Sequence, residues 1–90
     1  MEFEWDPAKA AANRRKHGVP FEEAQSVFDD PRVLVRYDAA HSADEDRRNA
    51  LGLSNRMRVL AVTYTLRGAV IRVISARKAT RAEAEEYEQP

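Results

Sequence analysis

The chain has no cysteine among its 90 residues, which excludes both a disulfide framework and a thiolate metal site. It also lacks a long apolar run, since the longest, VLAVTYTL at 59–66, is far too short to span a bilayer. The acidic start MEFEWDPAK has no apolar segment typical of a signal peptide. We therefore expect a cytoplasmic protein without membrane contact, with one domain over residues 1–90.

Net charge is absent as well, because fifteen acidic residues balance fifteen basic ones. The two kinds are nevertheless separated along the chain. All acidic residues lie in 1–46 or 83–88, so the segment 47–82 holds nine Arg or Lys and no Asp or Glu. Unless the fold scatters these cations, they favour a partner that carries phosphate.

Local patterns predict a strand, two helices, four strands and a final helix. FEW at 3–5 is typical of a short strand, and Asp6 and Gly18 have the residue types that begin and end a helix. A second helix should run from Pro20 to the DDP stretch at 29–31.

The second half of the chain predicts mostly strands. Alternation of apolar and polar residues indicates a strand at 32–37, and an exposed loop should cover 38–47. Further strands are predicted near 48–53, 57–66 and 70–76, the last three forming an antiparallel meander. Thr80 and Glu83 have the spacing of a capping box that opens the last helix.

Four stretches together resemble the BrnT toxins of bacterial type II toxin–antitoxin systems. The resemblance runs in order over nearly the whole chain, and the combination of KHG with ISARKAT is specific. The stretches are FEWDPAKAAANRRKHGV at 3–19, FEEAQSVFDDP at 21–31, HSADEDR at 41–47 and RVISARKATRAEAEEY at 72–87.

The resemblance implies an α+β, RelE-like fold: a small antiparallel sheet with two N-terminal helices packed on it and a short C-terminal helix. It also implies an endoribonuclease that inhibits translation. A BrnA-type ribbon-helix-helix antitoxin would neutralise it in a complex of two toxins and two antitoxins. Operator DNA would be bound only through that antitoxin.

Three residues depart from the family pattern. Arg48 stands where an aromatic residue is usual, Met57 where a turn glycine is common, and Leu66 where a polar residue is frequent. We expect these changes to affect loop geometry and activity more than the fold.

Cleaving RNA without a metal ion uses the 2′-hydroxyl of the RNA as the nucleophile. The protein must then transfer two protons, which suits His, Glu or Lys, and stabilise negative charge on phosphorus, which suits Arg. His17 and His41 are far apart and lack the partner spacing of a zinc or iron site. We predict a reaction that needs no metal ion and no cofactor.

Arg72 and Arg77 are the strongest catalytic candidates, because they lie on or just after the most apolar predicted strand. Five positions apart, they should point to opposite faces unless the strand ends before Arg77. In the alternative, structural interpretation, one of them pairs with an acidic residue and holds the helices to the sheet. The acidic residues considered are Glu22, Glu23 and Asp46.

The other catalytic candidates lie in two places. His41, Glu45 and Arg47 cluster in the predicted loop, where they are either catalytic or part of a solvated polar segment. Lys16 and His17 belong to the KHG motif, although cations at a helix C-terminus also have a purely structural explanation.

Four residues are candidates for RNA binding. Lys78 and Arg81 flank the last N-cap, where backbone N–H groups also favour phosphate. Arg58 belongs to the acid-free segment, and Tyr87 could stack on a base or pack on the sheet.

Two other functions fit the same residues. A non-catalytic nucleic-acid-binding module would need only the basic segment, and would leave RNA intact. A protein-interaction unit could use the basic face to receive an acidic antitoxin segment.

Overall fold

The computed structural model describes residues 1–37 and 46–90, which form an α+β fold as predicted. The strands are β1 (Glu2–Glu4), β2 (Leu34–Tyr37), β3 (Arg47–Leu53), β4 (Val59–Arg67) and β5 (Val70–Lys78). The helices are α1 (Pro7–His17), α2 (Phe21–Ser26) and α3 (Arg81–Glu88), and a 3₁₀ turn (Val27–Asp29) follows α2.

Both ends of α1 follow from single residues. The Asp6 side chain accepts hydrogen bonds from the backbone N–H of Ala8 at 2.8 Å and of Lys9 at 3.4 Å. At the other end Gly18 has a φ of 70°, a conformation that favours glycine, and its N–H donates to Arg14 O. The predicted caps are therefore confirmed, whereas the predicted second helix is only the six-residue α2.

The five strands have the order β1-β5-β4-β3-β2. The antiparallel meander of β3, β4 and β5 is confirmed, and β2 is antiparallel to β3. However, β1 pairs in parallel with β5, so the sheet is mixed and the expectation of an antiparallel sheet was wrong for this pair. Side-chain alternation shows which residues share a face, but it does not show strand direction.

Two strand boundaries also differ from the prediction. Arg47 is the first residue of β3 and lies opposite Thr65, so it is not part of a loop. β5 continues through Lys78, two residues beyond its predicted end, and therefore includes Arg77. In both cases a charged residue lies inside a strand, although the local sequence composition favours a loop at that position.

The hydrophobic core lies between the sheet and the α1–α2 segment. We call this side of the sheet the helix face. It consists of Ala50, Leu60, Val62, Tyr64, Ile71, Val73 and Ala76. Phe21 of α2 is fully buried against it, and Gly52 lets the 3₁₀ turn approach β3 so closely that a Cβ would lie 2.6 Å from Val27 Cγ1.

The turn between β3 and β4 keeps a left-handed residue. Met57 has a φ of 61°, in the left-handed region that favours glycine. Its N–H donates to Ser54 O at 2.9 Å, so the turn closes despite the side chain.

Among the described residues, no helix is long and apolar enough to cross a membrane.

Candidate functional site

The side of the sheet opposite the helix face carries rows of polar side chains. The register places Arg47 opposite Thr65 and Thr65 opposite Arg72. The next row joins Arg36, Asn49, Thr63 and Ser75, and Arg77 lies opposite Ala61 in the row after that. We call this surface the polar face. Its polar residues are Arg36, Arg47, Asn49, Thr63, Thr65, Arg72, Ser75 and Arg77.

A β-bulge brings Arg72 and Arg77 onto this one face. Between Thr63 and Tyr64 the pairing shifts, because Thr63 lies opposite Ser75 while Tyr64 lies opposite Val73. The extra residue in β5, Ile74, reverses the alternation. The prediction of opposite faces was therefore wrong, since it assumed an unbroken strand.

Arg72 has a carboxylate partner from the other end of the chain. Its Nη1 lies 3.4 Å from Glu4 Oε1 on β1, and Arg67 Nε lies 3.8 Å from the same oxygen. The Arg72 side chain keeps 27% of its surface exposed, so further guanidinium N–H groups can meet a ligand.

Arg77 is held more firmly, by the first turn of α3. Its Nη1 and Nη2 donate to the two carboxylate oxygens of Glu83 at 2.6 and 3.1 Å. The hydrogen bonds from Arg77 lower the pKa of Glu83 to about 2, and Glu83 in turn raises the pKa of Arg77. Neither arginine pairs with Glu22, Glu23 or Asp46, so the partners considered in the structural interpretation were wrong.

The rest of α3 attaches to the sheet through polar contacts. Arg36 Nη2 lies 2.8 Å from Glu86 Oε1, and the Tyr87 hydroxyl donates to the Asp30 carboxylate. This bond with Asp30 raises the pKa of Tyr87. The Arg32 guanidinium lies 5.7 Å from the centre of the Tyr87 ring, so it covers one face of that ring.

Arg58 lies on the helix side of the sheet. Its Nη2 and Nε donate to Glu23 at 2.6 and 2.7 Å, and Nη2 also donates to Gly18 O. Glu23 is 3% exposed and accepts a third hydrogen bond from Ser54 Oγ. The hydrogen bonds from Arg58 lower the pKa of Glu23 although burial raises it. This pair joins α2 to the β3–β4 turn.

Lys16 and His17 lie beside the part of β5 that extends beyond its pairing with β1. They line a cavity of about 230 Å³ with Lys9, Ala12, Asn13, Ile74 and Ser75. Ser75 belongs both to this cavity and to the polar face, between Arg72 and Arg77 along β5.

The remaining predicted residues lie elsewhere. Lys78 is exposed at the end of β5, opposite Leu60. Arg81 begins α3, is 94% exposed and lies 3.3 Å from Glu85. His41 and Glu45 fall outside the described residues.

Some site residues were missed by the sequence reasoning. Asn13 is buried and pairs with the β5 edge: its Nδ2 donates to Ala76 O at 2.8 Å, and Ala76 N–H donates to Oδ1 at 3.1 Å. The sequence could have indicated this role of Asn13, because a polar residue on the side of a helix that faces the core needs a hydrogen-bond partner. The pairing of Glu4 with Arg72 depends on long-range contacts that local patterns do not contain.

The polar face can bind and stabilise a phosphate. Arg47 on β3 and Arg72 and Arg77 on β5, the two strands on either side of β4, supply several charge-assisted donors on one face of the sheet. Within residues 1–37 and 46–90, no cluster of three His, Asp or Glu side chains could hold a metal ion.

Comparison with known proteins adds a family and a structural relative. A family model described as the ribonuclease toxin BrnT of type II toxin–antitoxin systems matches residues 5–83. The 1.1 Å crystal structure of the Brucella abortus ribonuclease toxin BrnT is 27% identical, with a TM-score of 0.66. That match covers 90% of this chain and 99% of the other. Curated proteins gave no match.

Proposed function

The chain belongs to the BrnT family of ribonuclease toxins of type II toxin–antitoxin systems, and we propose that it cleaves RNA on the polar face without a metal ion. The observation that carries the proposal is the shared orientation of Arg72 and Arg77, with Arg47 in line across β4. Cleavage of RNA in this way would inhibit translation.

In the proposed reaction the 2′-oxygen of the RNA loses its proton and attacks the neighbouring phosphorus. The bond from phosphorus to the 5′-oxygen breaks, and the leaving oxygen takes up a proton. The products are a 2′,3′-cyclic phosphate and a free 5′-hydroxyl. Arg72, Arg77 and Arg47 stabilise the additional negative charge on phosphorus.

Proton transfer is assigned to groups that border the polar face. Lys16 and His17 lie at its edge beside Ser75, and imidazole is suited to transfer near neutral pH. His41 and Glu45, which precede β3, complete the proposed set. Lys78 and Arg81 are proposed to contact the RNA backbone next to α3.

Arg72 is the better placed of the two β5 arginines to bind the scissile phosphate. Glu83 occupies both terminal nitrogens of Arg77, whereas Glu4 approaches only Nη1 of Arg72. Because a guanidinium has five N–H donors, Arg72 keeps more of them for a phosphate than Arg77 does.

Membership of a type II system implies an antitoxin partner. We propose a BrnA-type ribbon-helix-helix antitoxin, two copies with two toxins, that covers the polar face and binds operator DNA for the complex. The helix arrangement is proposed to be RelE-like.

The test is cleavage of single-stranded RNA in EDTA by the wild type, Arg72→Ala and Arg77→Ala. We expect cyclic phosphate ends, and a rate loss of about 10² for Arg72→Ala. Arg56→Ala is the matched control, because Arg56 is an exposed arginine of the same acid-free segment in the β3–β4 turn. Equal rates for Arg72→Ala and the control would refute the assignment, and intact RNA from folded wild type would favour a non-catalytic binding module.

A further inference from the structure

The cavity between α1 and the part of β5 beyond its pairing with β1 has the composition of an anion site. Lys9, Lys16 and His17 line it from α1, and Ile74 and Ser75 line it from β5. Its described lining contains no carboxylate. The charges of the two lysines alone outweigh the partial negative charge of about one half at the α1 C-terminus.

The cations of this cavity differ from the arginines of the sheet in their partners. Arg36, Arg72 and Arg77 each pair with a glutamate of the chain itself. Among the described residues, neither Lys9 nor Lys16 forms an ion pair. Each of these three arginines thus has a counter-charge within the chain, whereas among the described residues neither lysine has one.

The cavity also has a rigid wall and a free hydroxyl. Asn13 is fixed to Ala76 by two hydrogen bonds and so holds α1 against the edge of β5. The Ser75 hydroxyl makes no hydrogen bond within the described residues, so it can donate to a bound oxygen.

We propose that this cavity binds the RNA phosphate adjacent to the scissile one. This proposal rests on the proposed function. Ser75 follows Arg72 by three residues and precedes Arg77 by two, so at about 3.3 Å per residue it stands about 7–10 Å from each along β5. That distance is of the order of one nucleotide step. Lys9, which sequence reasoning did not select, becomes a phosphate-binding residue.

The experiment compares cleavage of a dinucleotide, which has only the scissile phosphate, with trinucleotides extended by one nucleotide at either end. The measured quantity is the ratio of kcat/KM for the better trinucleotide to that for the dinucleotide. For the wild type we expect a ratio clearly above one, and for Lys9→Gln a ratio about threefold to tenfold lower. Arg15→Gln removes the same charge from α1 outside the cavity lining and should keep the wild-type ratio.

A wild-type ratio near one would overturn the proposal, and so would equal ratios for Lys9→Gln and Arg15→Gln. If the folded wild type cleaves none of these substrates, the proposed function fails. A binding measurement then tests separately whether the cavity binds a phosphate. A ten-nucleotide 2′-O-methyl RNA then serves as the probe. The measured quantity is the slope of log K against log salt concentration. A slope less steep by about 0.7 for Lys9→Gln, but not for Arg15→Gln, would support the phosphate site. An unchanged slope for Lys9→Gln would overturn it.

Discussion

Replacing Glu83 by glutamine removes the charge that holds Arg77 and leaves the shape of the site intact. Thr80 N–H donates to Glu83 Oε1 at 2.8 Å, and the Glu83 N–H donates to Thr80 Oγ1 at 3.1 Å. A glutamine side chain can keep this capping box. The substitution therefore isolates the ion pair from the helix cap.

The magnitude follows from the pKa of Glu83. Its fall from 4.5 to about 2 corresponds to an upper limit of about 3.4 kcal/mol at pH 7. The Arg77 side chain is 44% exposed and that of Glu83 22%, so solvent screens the pair. We expect Glu83→Gln to lower the free energy of unfolding by about 1–2 kcal/mol, or the melting temperature by about 4–16 °C.

The pH dependence has a definite sign. Because folding lowers the pKa of Glu83, the stabilisation is complete above pH 4.5 and is lost as pH falls towards 2. The difference between wild type and Glu83→Gln should therefore be constant near neutral pH and about halved near pH 3.

Urea unfolding at pH 7, 4.5 and 3 measures this difference directly. Glu85→Gln is the matched control on the same helix, because Glu85 and Arg81 are 67% and 94% exposed and their pair should contribute nothing measurable. The reasoning is refuted if Glu83→Gln is no less stable than Glu85→Gln at pH 7, or if the difference between wild type and Glu83→Gln is as large at pH 3 as at pH 7.

Four further substitutions test the packing of the fold by urea unfolding. Asn13→Ala should cost about 2–4 kcal/mol, because it leaves buried backbone groups of Ala76 unpaired; a cost below 1 kcal/mol would contradict that role. Gly52→Ala should lower the free energy of unfolding by about 1–3 kcal/mol, because its Cβ would clash with Val27. The double variant Gly52→Ala/Val27→Ala should lose less stability than the sum of the losses of the two single variants. Met57→Gly should add about 0.5–1 kcal/mol by relieving a φ of 61°, and a loss of stability would argue against strain there.

The features that were predictable from the sequence depend on neighbouring residues. The caps formed by Asp6, Gly18 and the Thr80–Glu83 capping box join residues only a few positions apart. Their effects can therefore be predicted from the order of neighbouring residues in the sequence. Alternation within β3, β4 and β5 likewise follows from burial of one face.

The features that escaped prediction depend on contacts between distant segments. The partner of Arg72 is Glu4, and that of Arg58 is Glu23. The acid-free segment therefore indicated a strongly basic surface, whereas folding brings glutamates from both ends of the chain to several of its arginines. The bulge at Ile74 was missed because that residue has no distinguishing chemistry of its own.

Ile74 makes the spacing between the two arginines as important as their identity. Deletion of Ile74 would remove the bulge, make the spacing four and keep both arginines on the polar face. A β5 that kept all its residues but paired regularly with β4 would instead turn one arginine towards the helix face. A guanidinium forced into that apolar layer would lack a partner, at a cost of several kcal/mol. Along β5, related sequences should therefore combine an odd spacing of the two arginines with a bulge, or an even spacing with regular pairing.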